Sequence, residues 1–465
     1  MAGREPYSPK YRTALVLTGA GTAGAYHAGV LRALGEAGVR IDLVAGHGIG
    51  AVGAFFAAIE GGPRLWADDG VWRQEAVRSL YAWRPVLRAL GWAVAAALGL
   101  VLVPLAVLAA GLVVFPAALL LRLVHLDAGS ALADSWTAVV REAFEPGRLP
   151  AWIPQASLLL VLAVLVMLGA AARRARVPGR QRERGRFWWR VWGAPLDCGG
   201  AIRYWQRALW RLMTGGARAA QPGLVDLSRR YAELITENLG QPGFRELLVL
   251  VHDLDTRRDV VLAALAEPFR RSFFGRRAGA AASAARTSET LDLAGADRDH
   301  AVDVLSASQC LPVVSDPWPV RFSPESHWKG ETHLWCDRPG SAARLLEEVA
   351  AAGAEQVIVA SAAAVSADPH TLTGLRLDGR GRLGAWLASE EAAAVRDAVR
   401  ARAECFRFVQ QISPAYNPLD PMDFAGTYDE RSDRVQLLGE LVDRGYADAY
   451  GQFIDPAVGA GEARF

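Results

Sequence analysis

Two long stretches of this chain carry no charge, and they limit what the rest of it can form. Residues 89–121 read ALGWAVAAALGLVLVPLAVLAAGLVVFPAALLL, and residues 151–172 read AWIPQASLLLVLAVLVMLGAAA. About 20 apolar residues cross the hydrocarbon core of a bilayer, so each run is long enough for a span. Soluble core helices seldom run this far without a charge. The runs therefore predict an inserted pair of transmembrane helices. Two crossings return the chain to the side it left, so the parts before and after can fold as one domain. Pro104 and Pro116 predict a kink or a re-entrant portion in the first run.

Charge then orients the insertion. Residues 122–154 hold three arginines against four acids, whereas residues 173–190 hold eight arginines and only Glu183. Arg84 and Arg88 precede the first run. Positive flanks stay in the cytoplasm, which predicts a multi-pass protein of a bacterial inner membrane with its main domain on the cytoplasmic side. Trp188, Trp189 and Trp192 suit the headgroup level. A net charge of +2 excludes a polyanion-binding reading from bulk charge, and no basic-aromatic pattern points to nucleic acid. Membrane lipids are the predicted partners, with room for a protein partner. The cysteines at 198, 310, 336 and 405 are scattered without a C-x-x-C pair, so neither zinc nor a disulfide framework is expected.

Outside the runs the chain reads α/β. TALVLTG and RIDLVAG are strands flanking the helical AGAYHAGVLRALGEAG, and ELLVLVHDL and EQVIVAS follow much later, among amphipathic helices such as SAARLLEEVAAAGA. The boundaries divide the chain into residues 1–86, an insertion at 87–172, a basic Trp-rich connector at 173–229, and a C-terminal part at 230–465.

Chemistry concentrates at two turns. In VAGHGIGAVGA, a strand enters Gly46-His47-Gly48-Ile49-Gly50 and small residues follow to start a helix. That is the outline of a nucleophile elbow, in which a serine is lifted above the sheet edge, but Gly48 stands at the serine position. Earlier, Gly19, Gly21 and Gly24 follow a strand and open a helix. A dinucleotide site uses such a loop but wants an acid at the end of the second strand. Asp42 has roughly the right separation, yet it sits at that strand's start. The other use is an oxyanion hole, with backbone N–H groups turned to an intermediate formed at the elbow.

A glycine loop after strand one and an elbow after strand two resemble the patatin-like phospholipases, whose loop reads G-G-G-x-[RK]-G, whose elbow reads G-x-S-x-G, and whose distant D-G-[GA] completes a Ser–Asp dyad. The SASQCLPVVSDPWPV stretch is similar to a further family segment, the HLWCDRPG stretch to the aspartate motif, and NPLDPMDFAGTYDERSDR to a C-terminal segment of bacterial members. The resemblance implies a mostly parallel sheet flanked by helices, interrupted by the transmembrane pair. It implies Asp337 as the catalytic carboxylate, Gly19, Ala20, Gly21 and Gly24 as the oxyanion loop, and no cofactor or metal. Each element departs from the pattern: Ala20 and Ala23 in the loop, Gly48 in the elbow, Arg338-Pro339 after the aspartate. Glycine offers no atom to acylate, so the expectation is a pseudoenzyme that binds lipid or serves as a scaffold. The alternative is an active lipid acyl hydrolase that uses Asp337 with water or another nucleophile. A lipid-moving role for the spans is the weakest reading, for they carry no intramembrane charge.

The remaining candidates read as structural. His47 is expected on the far side of the turn, in a packing or polar contact. His327, His333 and Cys336 lack a helical or zinc-finger spacing and are expected at the surface or in the core. Asp303 and Asp316 read as turn or cap residues.

Overall fold

The computed structural model describes residues 5–143, 149–174, 193–215, 217, 219–275, 288–364 and 378–458. Trp188, Trp189 and Trp192, with most of the arginine-rich stretch, lie outside them. The chain divides into two compact units, one of Met1–Ala82 with Asp197–Phe465 and one of Trp83–Leu196.

The first unit is built on a sheet. Its strands are β1 (Thr13–Thr18), β2 (Leu43–His47), β3 (Glu246–Asp253), β4 (Arg258–Ala264), β5 (Glu289–Asp292), β6 (Trp318–Arg321), β7 (Thr332–Cys336), β8 (Gln356–Ser361) and β9 (Phe408–Ile412). Among the described residues they form a nine-stranded sheet in the order β9-β8-β1-β2-β3-β4-β5, with β7 pairing β3 and β6 pairing β7. From β9 to β3 every pairing is parallel, and β4 is antiparallel to β3. Parallel strands are covered on both faces, which is why TALVLT and QVIVAS are buried at every position. On one face Val16, Ala45, Leu248 and Val261 pack against Leu345, Val349 and Val395 of helices Ala342–Ala351 and Gly379–Arg402.

Helix α1 (Ala23–Glu36) follows β1, and α2 (Gly50–Ala57) follows β2. Helix Leu438–Ala449 lies so close to α1 that a Cβ on Gly29 would come within 1.9 Å of the Val442 carbonyl oxygen. β1 has β2 on one side and β8 on the other, so strand order reverses there. In open α/β sheets ligand sites lie at the carboxyl ends of strands at such a point. Both glycine turns are at that edge.

The second unit is helical. A single helix, Pro85–Leu123, runs through Pro104 and Pro116 without a break, where the prolines had predicted a kink or re-entrant portion. Among the described residues it is the one helix long and apolar enough to cross a membrane. Its side chains stand outward, Leu112 at 79 % and Val113 at 72 % exposure. The second uncharged run lies in helix Leu149–Arg174, 26 residues long, whose described apolar stretch is Leu158–Ala170. Of the expected pair, Pro85–Leu123 is the candidate span among the described residues. Between them helix Ala128–Ala143 folds back on the first, with Trp136 edge-on to Phe115 at 5.1 Å.

Candidate functional site

β2 ends at His47 and α2 begins at Gly50, so the chain reverses within two residues. The turn is tight because Gly50 lies against β1: a Cβ there would fall 2.1 Å from the Leu17 carbonyl oxygen. Gly48 has φ +56°, the left-handed conformation an elbow imposes on its central residue. A Cβ on Gly48 would stand 2.9 Å from Asp337 Oδ2. The sheet thus brings together the elbow centre and a carboxylate from the end of β7, far apart in sequence.

Asp337 is 1 % exposed, and its N–H donates to the Cys310 carbonyl at 2.9 Å. Arg338, which replaces a small residue of the family motif, reaches outward and donates to Asp259 at 2.7 Å on β4. The substitution ties the aspartate turn to the neighbouring strand and leaves Asp337 facing inward.

The glycine loop is folded against the elbow. Gly19 has φ +108°, and its carbonyl oxygen accepts the Ile49 N–H at 3.0 Å. Ile49 follows the elbow centre, the position whose N–H serves an oxyanion in an elbow enzyme. Here that donor is satisfied within the chain. The same Gly19 oxygen lies 2.4 Å from where a Cβ on Gly48 would be. Ala20 and Gly21 are buried, and the backbone N–H and hydroxyl of Thr22 donate to the carbonyls of Pro421 and Asp420 at 3.0 and 2.9 Å. The NPLDPMDF segment therefore lies over the loop. Gly24, inside α1, is packed under Trp72.

His47 does not turn away from the site as expected. Its Nδ1 lies 3.4 Å from Asp337 Oδ1, and its Nε2 lies 3.9 Å from Glu391 Oε2. The strand's pleat sends it under the elbow into a space closed by helix Gly379–Arg402. Burial pulls the imidazolium down, but the Asp337 hydrogen bond and the Glu391 charge outweigh it and hold the His47 pKa above its ordinary value. Burial raises the Glu391 carboxyl, with His47 and Thr18 offsetting part of that. His27 of α1 is also fully buried, and desolvation drives it down to about 3. Sequence reasoning missed Glu391. A signal existed, since Leu387, Glu391 and Val395 share the helix's buried face, where a carboxylate is out of place.

The other candidates lie elsewhere. His333 is buried against Asp253 at 2.6 Å, while His327 stacks edge-on to Trp328. Asp303, in the first turn of helix Ala301–Ala307, accepts from the Trp318 indole at 2.8 Å. Among the described residues no three His, Cys, Asp or Glu side chains are grouped to hold a metal.

A mostly parallel sheet, a glycine loop at the switch point, and an elbow facing a buried aspartate define the scaffold of an acyl hydrolase of the Ser–Asp type. The chain belongs to the patatin-like phospholipase family, whose profile matches residues 15–337. Among solved structures it is similar to VipD from Legionella pneumophila at 13 % identity, covering 96 % of this chain and 67 % of that one with a TM-score of 0.30. No curated protein matches it.

Proposed function

We propose that this chain is a membrane-anchored patatin-like module that has lost acyl transfer and retains the fold as a lipid-binding or scaffold element. One observation carries the reading: the elbow centre facing Asp337 is Gly48, and the space its side chain would occupy is crowded by the Gly19 carbonyl at 2.4 Å. Ester cleavage by the Ser–Asp route needs a hydroxyl there and a free N–H to receive the oxyanion.

Anchoring rests on helix Pro85–Leu123. Its 39 residues extend about 58 Å at 1.5 Å per residue, against a hydrocarbon core of about 30 Å. Outward leucines and valines in such number fit lipid better than water. Arginines after the second run favour a cytoplasmic α/β unit at a bacterial inner membrane.

The test is hydrolysis of a p-nitrophenyl ester and a fluorescent phospholipid by the full chain in detergent, beside Asp337→Ala. Neither protein is expected to exceed the buffer rate. Turnover that Asp337→Ala abolishes would sink the reading. Resistance to alkaline carbonate extraction of membranes tests the anchor separately.

A further inference from the structure

Two cysteines remote in sequence meet in the α/β unit. The Sγ atoms of Cys198 and Cys310 lie 3.6 Å apart, although the residues are 112 positions apart in the chain. Cys198 is 7 % exposed and Cys310 1 %. Both are free thiols; Cys336 is also buried, beside the Asp337 whose N–H bonds to the Cys310 carbonyl, and Cys405 is exposed. A disulfide needs about 2.05 Å between sulfurs, so side-chain rotation closing roughly 1.5 Å would form one.

The position gives the pair meaning. Cys198 directly precedes helix Gly199–Thr214, where the chain resumes the α/β unit after the inserted helices. Cys310 supplies the carbonyl that accepts the Asp337 N–H, and its sulfur lies 3.5 Å from the Ser306 carbonyl oxygen. The neighbouring Gln309 carbonyl accepts the Tyr81 hydroxyl at 2.9 Å. A bond between the two sulfurs would tie the chain's return point to the turn that carries Asp337.

We propose that Cys198 and Cys310 are an oxidative modification site, closing to a reversible intrachain disulfide when the protein meets hydrogen peroxide. The Cys198 thiolate attacks the peroxide O–O bond, which breaks. One oxygen stays on sulfur as a sulfenic acid, and the other takes up a proton and leaves as water. The Cys310 sulfur then displaces the hydroxyl: the S–S bond forms, the S–O bond breaks, and the Cys310 proton leaves with the oxygen as a second water. Two thiols lose two electrons and one hydrogen peroxide gains them. Hydrogen bonding from Cys310, which outweighs burial, holds the Cys198 thiol below its ordinary pKa and favours the attacking thiolate. Burial pushes the Cys336 thiol up to about 12, so it does not compete as the attacking thiolate. The Cys310 thiol is raised as well, first by its hydrogen bond to Cys198 and then by burial, and acts as the protonated resolving group. In a reducing compartment such pairs serve as transient sensors rather than permanent staples.

The experiment uses the full chain in detergent, fully reduced, with Cys405→Ser to prevent links between molecules. After hydrogen peroxide treatment, remaining thiols are alkylated in denaturant and unreduced peptides are mapped by mass spectrometry. The expected product is a single Cys198–Cys310 peptide pair, with Cys336 alkylated and the link reversed by dithiothreitol. Oxidation is also expected to raise the unfolding temperature, and Cys198→Ser to remove that rise. Free thiols at both positions, under peroxide that oxidises Cys405 in the parent chain, would overturn the proposal. So would sulfinic acid on Cys198 without a linked peptide. The mapping stands without the Cys198→Ser variant, so misfolding of that variant leaves the answer intact.

Discussion

Gly48 and Asp337 oppose one another across the sheet edge: a Cβ on the glycine would stand 2.9 Å from the carboxylate oxygen. On the proposed reading these are the nucleophile position, without its hydroxyl, and the base. The same Cβ would stand 2.4 Å from the Gly19 oxygen, which holds the Ile49 N–H. A side chain and that hydrogen bond exclude one another. Gly48→Ser is therefore expected to cost about 1–3 kcal/mol through crowding and backbone strain, and to gain no esterase activity. Thermal unfolding and reaction with a fluorophosphonate check both halves. Rapid labelling at position 48 would mean the glycine loop reopens easily.

Two glycines of the α1 region should respond to alanine in opposite directions. A Cβ on Gly445 would meet the Tyr26 carbonyl oxygen at 2.2 Å, so Gly445→Ala forces two helices apart. A loss of about 1–3 kcal/mol is expected. Gly35 is exposed near the end of α1 with open space around it, and Gly35→Ala should add about 0.5–1 kcal/mol. Unfolding midpoints in urea compare them directly. Equal shifts would contradict the close approach of the helices.

Much of the α/β unit was legible because its physics is local. Continuous apolar runs bounded by glycine gave β1, β2, β3 and β8, and amphipathic spacing gave the helices. The elbow and the distant aspartate were readable as motifs. What sequence could not give was direction in depth. His47 was expected across the turn, yet it touches Asp337, because the pleat and the helix carrying Glu391 together decide which way it faces. Nor could scattered cysteines reveal that 198 and 310 meet, since only the folded sheet brings those segments together. In the insertion, composition alone had predicted two spans. Among the described residues Pro85–Leu123 is the helix long and apolar enough to cross.

A buried ion pair sets the edge of the first unit. Arg12 forks onto both oxygens of Glu246, whose carboxylate also accepts the Ala266 N–H at 3.0 Å. Glu246→Gln leaves a mostly buried guanidinium without its counter-charge, and about 3–5 kcal/mol should be lost. Arg12→Met with Glu246→Leu, which removes both charges, should recover most of that loss. Urea midpoints of the three proteins decide it. A double variant as weak as the single one would mean the charge itself is not what matters.

Two buried histidines predict opposite limbs of the pH–stability curve. His27 is neutral in the fold, with a pKa driven down to about 3 by desolvation. The unfolded chain takes up that proton as pH falls through about 6.5. Its contribution is therefore whole above about 6.5 and is lost toward 3, at roughly 1.4 kcal/mol per pH unit. His47 has the reverse sign. Burial opposes its charge, but Asp337 and Glu391 raise its folded pKa. That contribution is whole below the unfolded value and is lost as pH rises through the raised one. His27→Gln should flatten the acid limb and leave the alkaline limb alone, while His47→Gln should do the opposite. Urea midpoints across pH test both. An unchanged acid slope in His27→Gln would show that His27 carries a proton in the fold, and the buried cluster would then hold one more charge than its geometry provides for.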